Sequence, residues 1–394
     1  MLILATLESV DAADFSCSSG NVTCLIASIN DANGMPGEHV INLEPGIYTV
    51  QAEDNATDGA NGLPSISRSI RIQASADDPP TVIERDPAAP FFRIFHVSVG
   101  GELVLDGLTV QRGDGFSGAT IFNRGVTSLR DSIVTDSSGI EKGAVRNIGI
   151  LNVIRSIIAD NSAPFLGGGI FNEPGGNVLV ENSTIAHNGS QGGGGIWNED
   201  SIVIRNSAII GNGTGSAEPG GGILNGGGSV EIVNSTIAKN IAGLGVGGGV
   251  YNCCGGTVSI TNSTIRENQA SGEGPSTFGP GGGGGIKNES EPFLGVGGPI
   301  RVLNTIIAGN TITVNFPFAS GPECFGTIAS LGNNLAGDPA DCDINFQPSD
   351  LTGDLGLGSL VGTGEDDLPG KAFLSGLGWE CSHKQRKSRC LSGD

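Results

Sequence analysis

Aromatic and charged side chains are scarce in this chain, at 5% and 15% of 394 residues, with only two tryptophans, two tyrosines and two methionines. A core must therefore be aliphatic. At 37% hydrophobic residues one can form if every structural unit contributes a few such side chains. No apolar stretch approaches ~20 residues, which excludes a membrane-spanning helix. The 67 glycines follow no three-residue period, which excludes collagen. Regular apolar alternation between the glycine runs excludes a disordered chain. Zinc-type Cys-x-x-Cys spacing is absent, as is the Gly-Gly-x-Gly-x-Asp calcium nonapeptide.

Basic residues are the minority sign, 20 against 41 acidic, for a formal net charge of −21. Such a surface repels phosphate backbones, so nucleic acid is not an expected partner. It also repels polyanionic sugars unless basic groups cluster locally. Eight cysteines fall mostly in local pairs, Cys17/Cys24, Cys324/Cys342 and Cys381/Cys390. Locally paired cysteines imply disulfides and an oxidising, extracellular or cell-surface location. Cys253 and Cys254 are adjacent, ahead of Gly255-Gly256, and form either a vicinal disulfide or a reduced pair. The stretch Met1–Leu7 is apolar but lacks a basic leader and soon meets Glu8. It reads as a truncated signal or as a first strand.

What the chain does have is repetition. Asparagine follows a Gly-Gly-Gly-Ile type run at Asn123, Asn147, Asn172, Asn198, Asn225, Asn252 and Asn288. A second series, Asn182, Asn206, Asn234, Asn262 and Asn304, follows a short alternating strand, with Arg130 and Arg155 in its place earlier. A third comprises Asp136, Asn161, Asn188, Asn212, Asn240, Asn268 and Asn310. A repeat of 24 to 28 residues is the mark of a solenoid, whose rungs bury their apolar faces by stacking. Segments such as Val178–Asn182, Ile202–Asn206, Val230–Asn234 and Val258–Asn262 are β-branched and too short for helices. Alternation turns Val178 and Val180 to the core with Asn182 beside them. Glycines permit positive φ at the turns, and stacked amides are expected to form ladders inside or at the corners.

The expected fold is all-β, a single-stranded right-handed parallel β-helix with a short N-terminal helical cap. Residues 1–38 form the N-terminal segment and cap, 39–362 the β-helix of about 10 to 12 rungs, and 363–394 an irregular tail with the basic run Lys384–Arg389. In the cap, Leu25, Ile26, Ile29 and Ala32 share one helical face after Asn21, a suitable N-cap.

These features resemble the right-handed parallel β-helix proteins of the pectin-lyase-like superfamily, in particular an exported or surface-anchored bacterial group. That group opens with a Cys-Ser-Leu-Arg-Glu-Ala-Ile-x-x-Ala-Asn cap. Here Thr23–Asn33 carries its leucine, isoleucine and Ala-Asn but not its Arg-Glu pair. The body resembles the Gly-Gly-Ala-Ile and Phe-x-x-Asn repeats of polymorphic outer-membrane proteins, and Glu323–Leu335 resembles the group's closing rungs. The likeness covers roughly residues 15–360. It implies a fold and an exported protein rather than an activity.

Catalytic signals are missing. Hydrolases of this superfamily carry Asn-Thr-Asp, paired Asp, Gly-His-Gly and Arg-Ile-Lys motifs, none of which is present as such. The four histidines, His39, His96, His187 and His383, are scattered. No pair of carboxylates stands out for glycoside hydrolysis. Asp160, His187, Gly211, Lys239, Glu267 and Gly309 form a periodic row expected to be solvated. No metal site or cofactor follows from the residues, although oxygen ligands for calcium could come from many places in so acidic a chain. A sharper row is the residue between Ile and Asn in the first series: Phe122, Arg146, Phe171, Trp197, Leu224, Tyr251 and Lys287. Facing outward, Phe122, Phe171, Trp197 and Tyr251 form a strip for stacking on sugar rings or a partner; otherwise they cover the turns and each other. Arg112-Gly-Asp114 and sequons such as Asn182-Ser-Thr184 are short enough to recur by chance or through the repeat itself. The resulting expectation is a monomeric, exported, non-catalytic module that is structural, adhesive or binds a polysaccharide or surface glycan. The alternative is a polysaccharide lyase or glycoside hydrolase with an unrecognised site.

Overall fold

The computed structural model describes residues 13–75, 79–215, 219–243, 245–271, 282–289, 295–313, 321–340 and 342–353. The tail at 363–394, the Cys381/Cys390 pair and Met1–Leu7 lie outside them. The described chain is a parallel β-helix with one helix, Val22–Gly34. A typical coil runs through four segments. A triplet such as Ile170–Asn172 leads into a five-residue strand, Asn177–Glu181, then a second triplet, Thr184–Ala186, then a two-residue strand, Gly189–Ser190. Each pairs in parallel with its counterpart one coil on. The second triplets form a twelve-stranded sheet and the two-residue strands a five-stranded one, while the first triplets and long strands merge into a 21-stranded sheet through Cys324–Ser330.

The core is the aliphatic column the alternation predicts. Val178/Val180, Ile202/Ile204, Val230/Ile232 and Val258/Ile260 stack in register and are buried. The first triplets add Ile170, Ile196, Ile223 and Val250. The helix closes one end, burying Leu25, Ser28, Ile29 and Ala32, and Asn21 Oδ1 accepts from the Cys24 amide at 3.0 Å. Ile26, expected on that face, is only half-buried. A strand not anticipated, Asp14–Cys17, precedes the helix and pairs with Glu38–Leu43. Disulfides join Cys17 to Cys24 and Cys324 to Cys342, with Cα separations of 5.6 and 5.1 Å, inside the ordinary range.

The first asparagine series is a buried ladder. Asn123, Asn147, Asn172, Asn198, Asn225 and Asn252 each donate Nδ2 to Oδ1 of the next, at 2.7–2.9 Å, ending on Asn288. The third series is a second buried ladder from Asn161 to Asn310. It ends on the buried carboxylate of Glu323, which accepts from Asn310 Nδ2 at 2.6 Å. Its first member is Ser137 rather than Asp136: the Ser137 amide donates to Asn161 Oδ1.

The middle series corrects an expectation. Asn182, Asn206, Asn234 and Asn262 are exposed, not ladder members inside the helix. All hold positive φ, near 50°, as do Asp131 and Arg155 before them, so the series runs through Asp131 and not Arg130. A left-handed corner selects asparagine for its backbone tolerance and turns its side chain to solvent. The residue after it points in. Ser132, Ser156, Ser183, Ser207 and Ser235 are buried, and each backbone N–H donates to the serine hydroxyl one coil on at 3.0–3.1 Å. The stack there is made of serines. The asparagines of the sequons at Asn182, Asn234 and Asn262 are therefore on the surface.

Candidate functional site

The residue between Ile and Asn in the first triplets forms one register row: His96, Phe122, Arg146, Phe171, Trp197, Leu224, Tyr251, Lys287 and Phe325. Because Ile170 and Ile196 point inward, this row faces away from the main core. It does not form an open strip. Phe122, Phe171 and Tyr251 are 4%, 2% and 2% exposed, and of the four aromatics expected to bind a ligand only Trp197 is half-buried. A ring packed on its faces has no free face for a sugar, so the rings act here mainly as supports.

Three cations lie over two of these rings. The Arg93 and Arg146 guanidinium carbons lie 5.1 and 4.2 Å from the centre of Phe122, and Lys142 Nζ is 4.4 Å from the centre of Phe171. Glu173 joins two of them. It takes Arg146 Nε and Nη2 at 2.8 and 3.0 Å and also Lys142 Nζ. Burial would raise the Glu173 carboxyl, but the hydrogen bonds from Arg146 and Lys142 outweigh it and hold the group below the ordinary carboxylate range. Phe171 and Trp197 are 5.9 Å apart, and Trp197 Nε1 donates to Glu199 Oε1 at 3.1 Å. Burial pushes the Glu199 carboxyl up.

The other end of the row is covered by the long connection at 51–67. Asn55 organises it: Oδ1 accepts from the Thr57 amide and Asn61 Nδ2, and Nδ2 donates to Leu63 O. His96, 1% exposed, ties this connection to the sheet. Its Nδ1 is 2.9 Å from Ser65 Oγ and its Nε2 is 3.1 Å from Asp58 Oδ2. An ionised carboxylate only accepts, so Nε2 carries a proton and a neutral His96 receives the Ser65 hydroxyl at Nδ1. Burial and the Arg93 charge hold the imidazole below its ordinary value in spite of Asp58. The Asp58 carboxyl is held low chiefly by its hydrogen bond from Arg124, at 2.6 Å. Arg93 donates Nη2 to Asp58 O at 2.9 Å, while its buried Nε and Nη1 have no hydrogen-bond partner. Burial and neighbouring Arg146 lower its pKa to about 10.

Sequence reasoning found the row but not this cluster. Arg93, Arg124 and Asp58 lie outside the periodic positions, and only the coiling of the chain gathers them. At the opposite end, Tyr251 packs with Leu224, Val246 and Cys253 and donates to Glu289 Oε2 at 2.9 Å. The row at Asp160, His187, Lys239 and Glu267 is a left-handed corner whose side chains reach solvent. Arg112 and Asp114 of the Arg-Gly-Asp tripeptide pair internally with Glu84 and Arg85 at 2.8 and 3.1 Å. Among the described residues, no group of three or more His, Cys, Asp or Glu side chains converges as metal ligands would. No described helix is long and apolar enough to cross a membrane.

No protein-family model matches the chain, and no curated protein does. Among solved structures it is similar to a PL6 family alginate lyase, AlyGC, at 11% identity and a TM-score of 0.35, over 88% of this chain and 54% of that one. The chain thus spans about half the length of that protein. The architecture is a parallel β-helix.

Proposed function

We propose that this chain is an exported, non-catalytic β-helix module that binds an acidic polysaccharide on the outward face of the first triplets. The observation that carries the reading is local reversal of charge. In a chain of formal net charge −21, Arg93, Arg124, Lys142 and Arg146 gather beside three carboxyl groups, Asp58, Glu173 and Glu199, the last with its carboxyl pushed up by burial. A polyanion repelled by the rest of the surface finds an excess of cations here. Arg124, Arg146 and Lys142 keep 36%, 24% and 17% of their side chains exposed, and Trp197 beside them offers a partly open ring. Phe122 and Phe171 hold the cations in place, so little ordering cost accompanies binding. Two disulfides fit an exported protein.

One observation favours a hydrolytic alternative. Glu199, with a raised carboxyl, stands near Glu173, held ionised, and such divergence is how an acid and a base are set apart. A single experiment separates the two. Uronate-bearing and neutral polysaccharides are immobilised, retention is measured against salt, and the eluates are assayed for reducing and unsaturated ends. Retention on the acidic polymers alone, lost in Arg146→Ala and reduced by salt, is expected, with no new ends. No retention on any acidic polymer would overturn the proposal. New reducing ends, abolished in Glu199→Gln, would replace it with the hydrolase.

A further inference from the structure

Cys253 and Cys254 are not used by the binding face, and their setting carries a separate inference. Cys253 ends the strand Val250–Cys253 on its outward side, 7% exposed, against Leu224, Val246 and Tyr251. Cys254 follows in the exposed turn at φ 61° and Gly255 at φ 82°. The Gly256 amide donates to Cys253 O at 2.8 Å and closes the turn. Positive φ at both central positions makes it a type I′ turn, where Gly, Asn and Asp are the usual residues. A cysteine there is strained relative to glycine, because its Cβ crowds the following carbonyl oxygen. The Cys254 amide donates to Gly295 O at 2.8 Å, which holds the turn against the next coil. All four other cysteines among the described residues are in disulfides.

We propose that Cys253 and Cys254 are a redox-active vicinal pair, which closes to a disulfide with a small-molecule disulfide as oxidant and reopens under mild reduction while the two other disulfides persist. The exposed Cys254, as thiolate, attacks one sulfur of the small disulfide and expels its first thiolate. Cys253 then loses its proton and displaces the second from the mixed disulfide. Two protein thiols are oxidised, one small disulfide is reduced to two thiols, and the protons pass to the leaving thiolates. Adjacent Cα atoms lie about 3.8 Å apart, below the ~4.4–6.8 Å of unstrained disulfides, so this ring is the more reducible one. Closure draws Cys253 Sγ away from Leu224, Val246 and Tyr251, so the pair reports on packing beneath the outward row.

The test treats the full chain with oxidised glutathione and then with graded dithiothreitol. Samples are quenched in acid, alkylated in denaturant and mapped by peptide mass. The Cys253-Cys254 peptide is expected lighter by two hydrogens before reduction. It should take up two alkyl groups at a reductant concentration at least tenfold below that opening Cys17–Cys24 and Cys324–Cys342. Full alkylation after oxidant treatment, or opening only together with the other disulfides, would overturn the proposal. The Cys254→Ser variant changes an exposed position and should fold; its Cys253 should stay unmodified by oxidised glutathione in the native protein. Ready glutathionylation of Cys253 in that variant would remove the assigned role of Cys254 as the attacking sulfur.

Discussion

At the scale of the residue, the corners separate two uses of similar side chains. Asn234 is exposed at φ 48°, and its Nδ2 reaches only the exposed Asn206 Oδ1, at 2.6 Å. Ser235 is buried; its hydroxyl accepts from the Ser207 amide at 3.1 Å and donates to Val233 O at 2.7 Å. Asn234→Gly should therefore be nearly neutral. Asn234→Ala should cost about 1 kcal/mol from backbone strain alone. Ser235→Ala should cost about 1–3 kcal/mol, because it orphans a buried amide. Urea unfolding of the three variants checks the order. If Asn234→Gly costs more than Ser235→Ala, the asparagine side chain rather than its backbone conformation matters.

At the scale of the element, the connection at 51–67 is fastened by one buried imidazole. The folded pKa of His96 lies below its ordinary 6.5, through burial and Arg93. Between the two values the unfolded chain binds the extra proton. Stability is thus full above pH 6.5 and falls with pH until the folded value is passed. The loss can reach ~1.4 kcal/mol per pH unit inside that window. Asp58, held low by Arg124, stays ionised throughout it. Protonation would also turn the Ser65 hydroxyl from His96 toward Asn55 Oδ1, which lies 3.0 Å away. Thermal melting between pH 7 and 5 should show a decline that His96→Gln flattens. A decline of unchanged slope in the variant would place the titrating group elsewhere. The glycine runs are legible at this scale too, but for two reasons. Gly193 needs its φ of 62°, whereas a Cβ on Gly195 would meet Gly222 O at 2.7 Å and Asn212 Cγ at 2.9 Å. The run lets the chain pass close over the buried amide ladder.

At the scale of the whole molecule, twelve stacked strands at about 4.8 Å spacing give a stack of roughly 53 Å, with the cation cluster and the Tyr251 cluster in different coils of one face. The two aromatics expected to act together should then part company. Trp197→Ala should lower retention on acidic polysaccharide several-fold with little change in melting temperature. Tyr251→Ala should cost about 3 kcal/mol or more of stability, as truncating a buried aromatic does. Binding assays and denaturation on the two single variants decide it; equal loss of binding without loss of stability in Tyr251→Ala would mean that its ring reaches the ligand.

The sequence by itself determined the solenoid, its period, the inward column of Ile and Val, the N-cap at Asn21 and the two local disulfides. Each depends on short-range alternation and on the identity of residues one coil apart, and a repeat prints both directly. It misassigned the middle asparagine series because an αL corner and a buried ladder select the same residue; only the φ of Asn234 and the burial of Ser235 tell them apart. It gave the row of Phe122, Phe171, Trp197 and Tyr251 its facing but not its cover. The cation cluster was not legible, since Asp58, Arg93 and Arg124 lie outside the three asparagine series and the row between Ile and Asn, and Arg146, though in that row, has its cationic neighbours outside it. They meet because a long non-repeating connection folds back over the first coils. Repetition encodes the scaffold locally, whereas the charge that distinguishes one face comes largely from residues outside the periodic rows, so only the tertiary structure could bring them together.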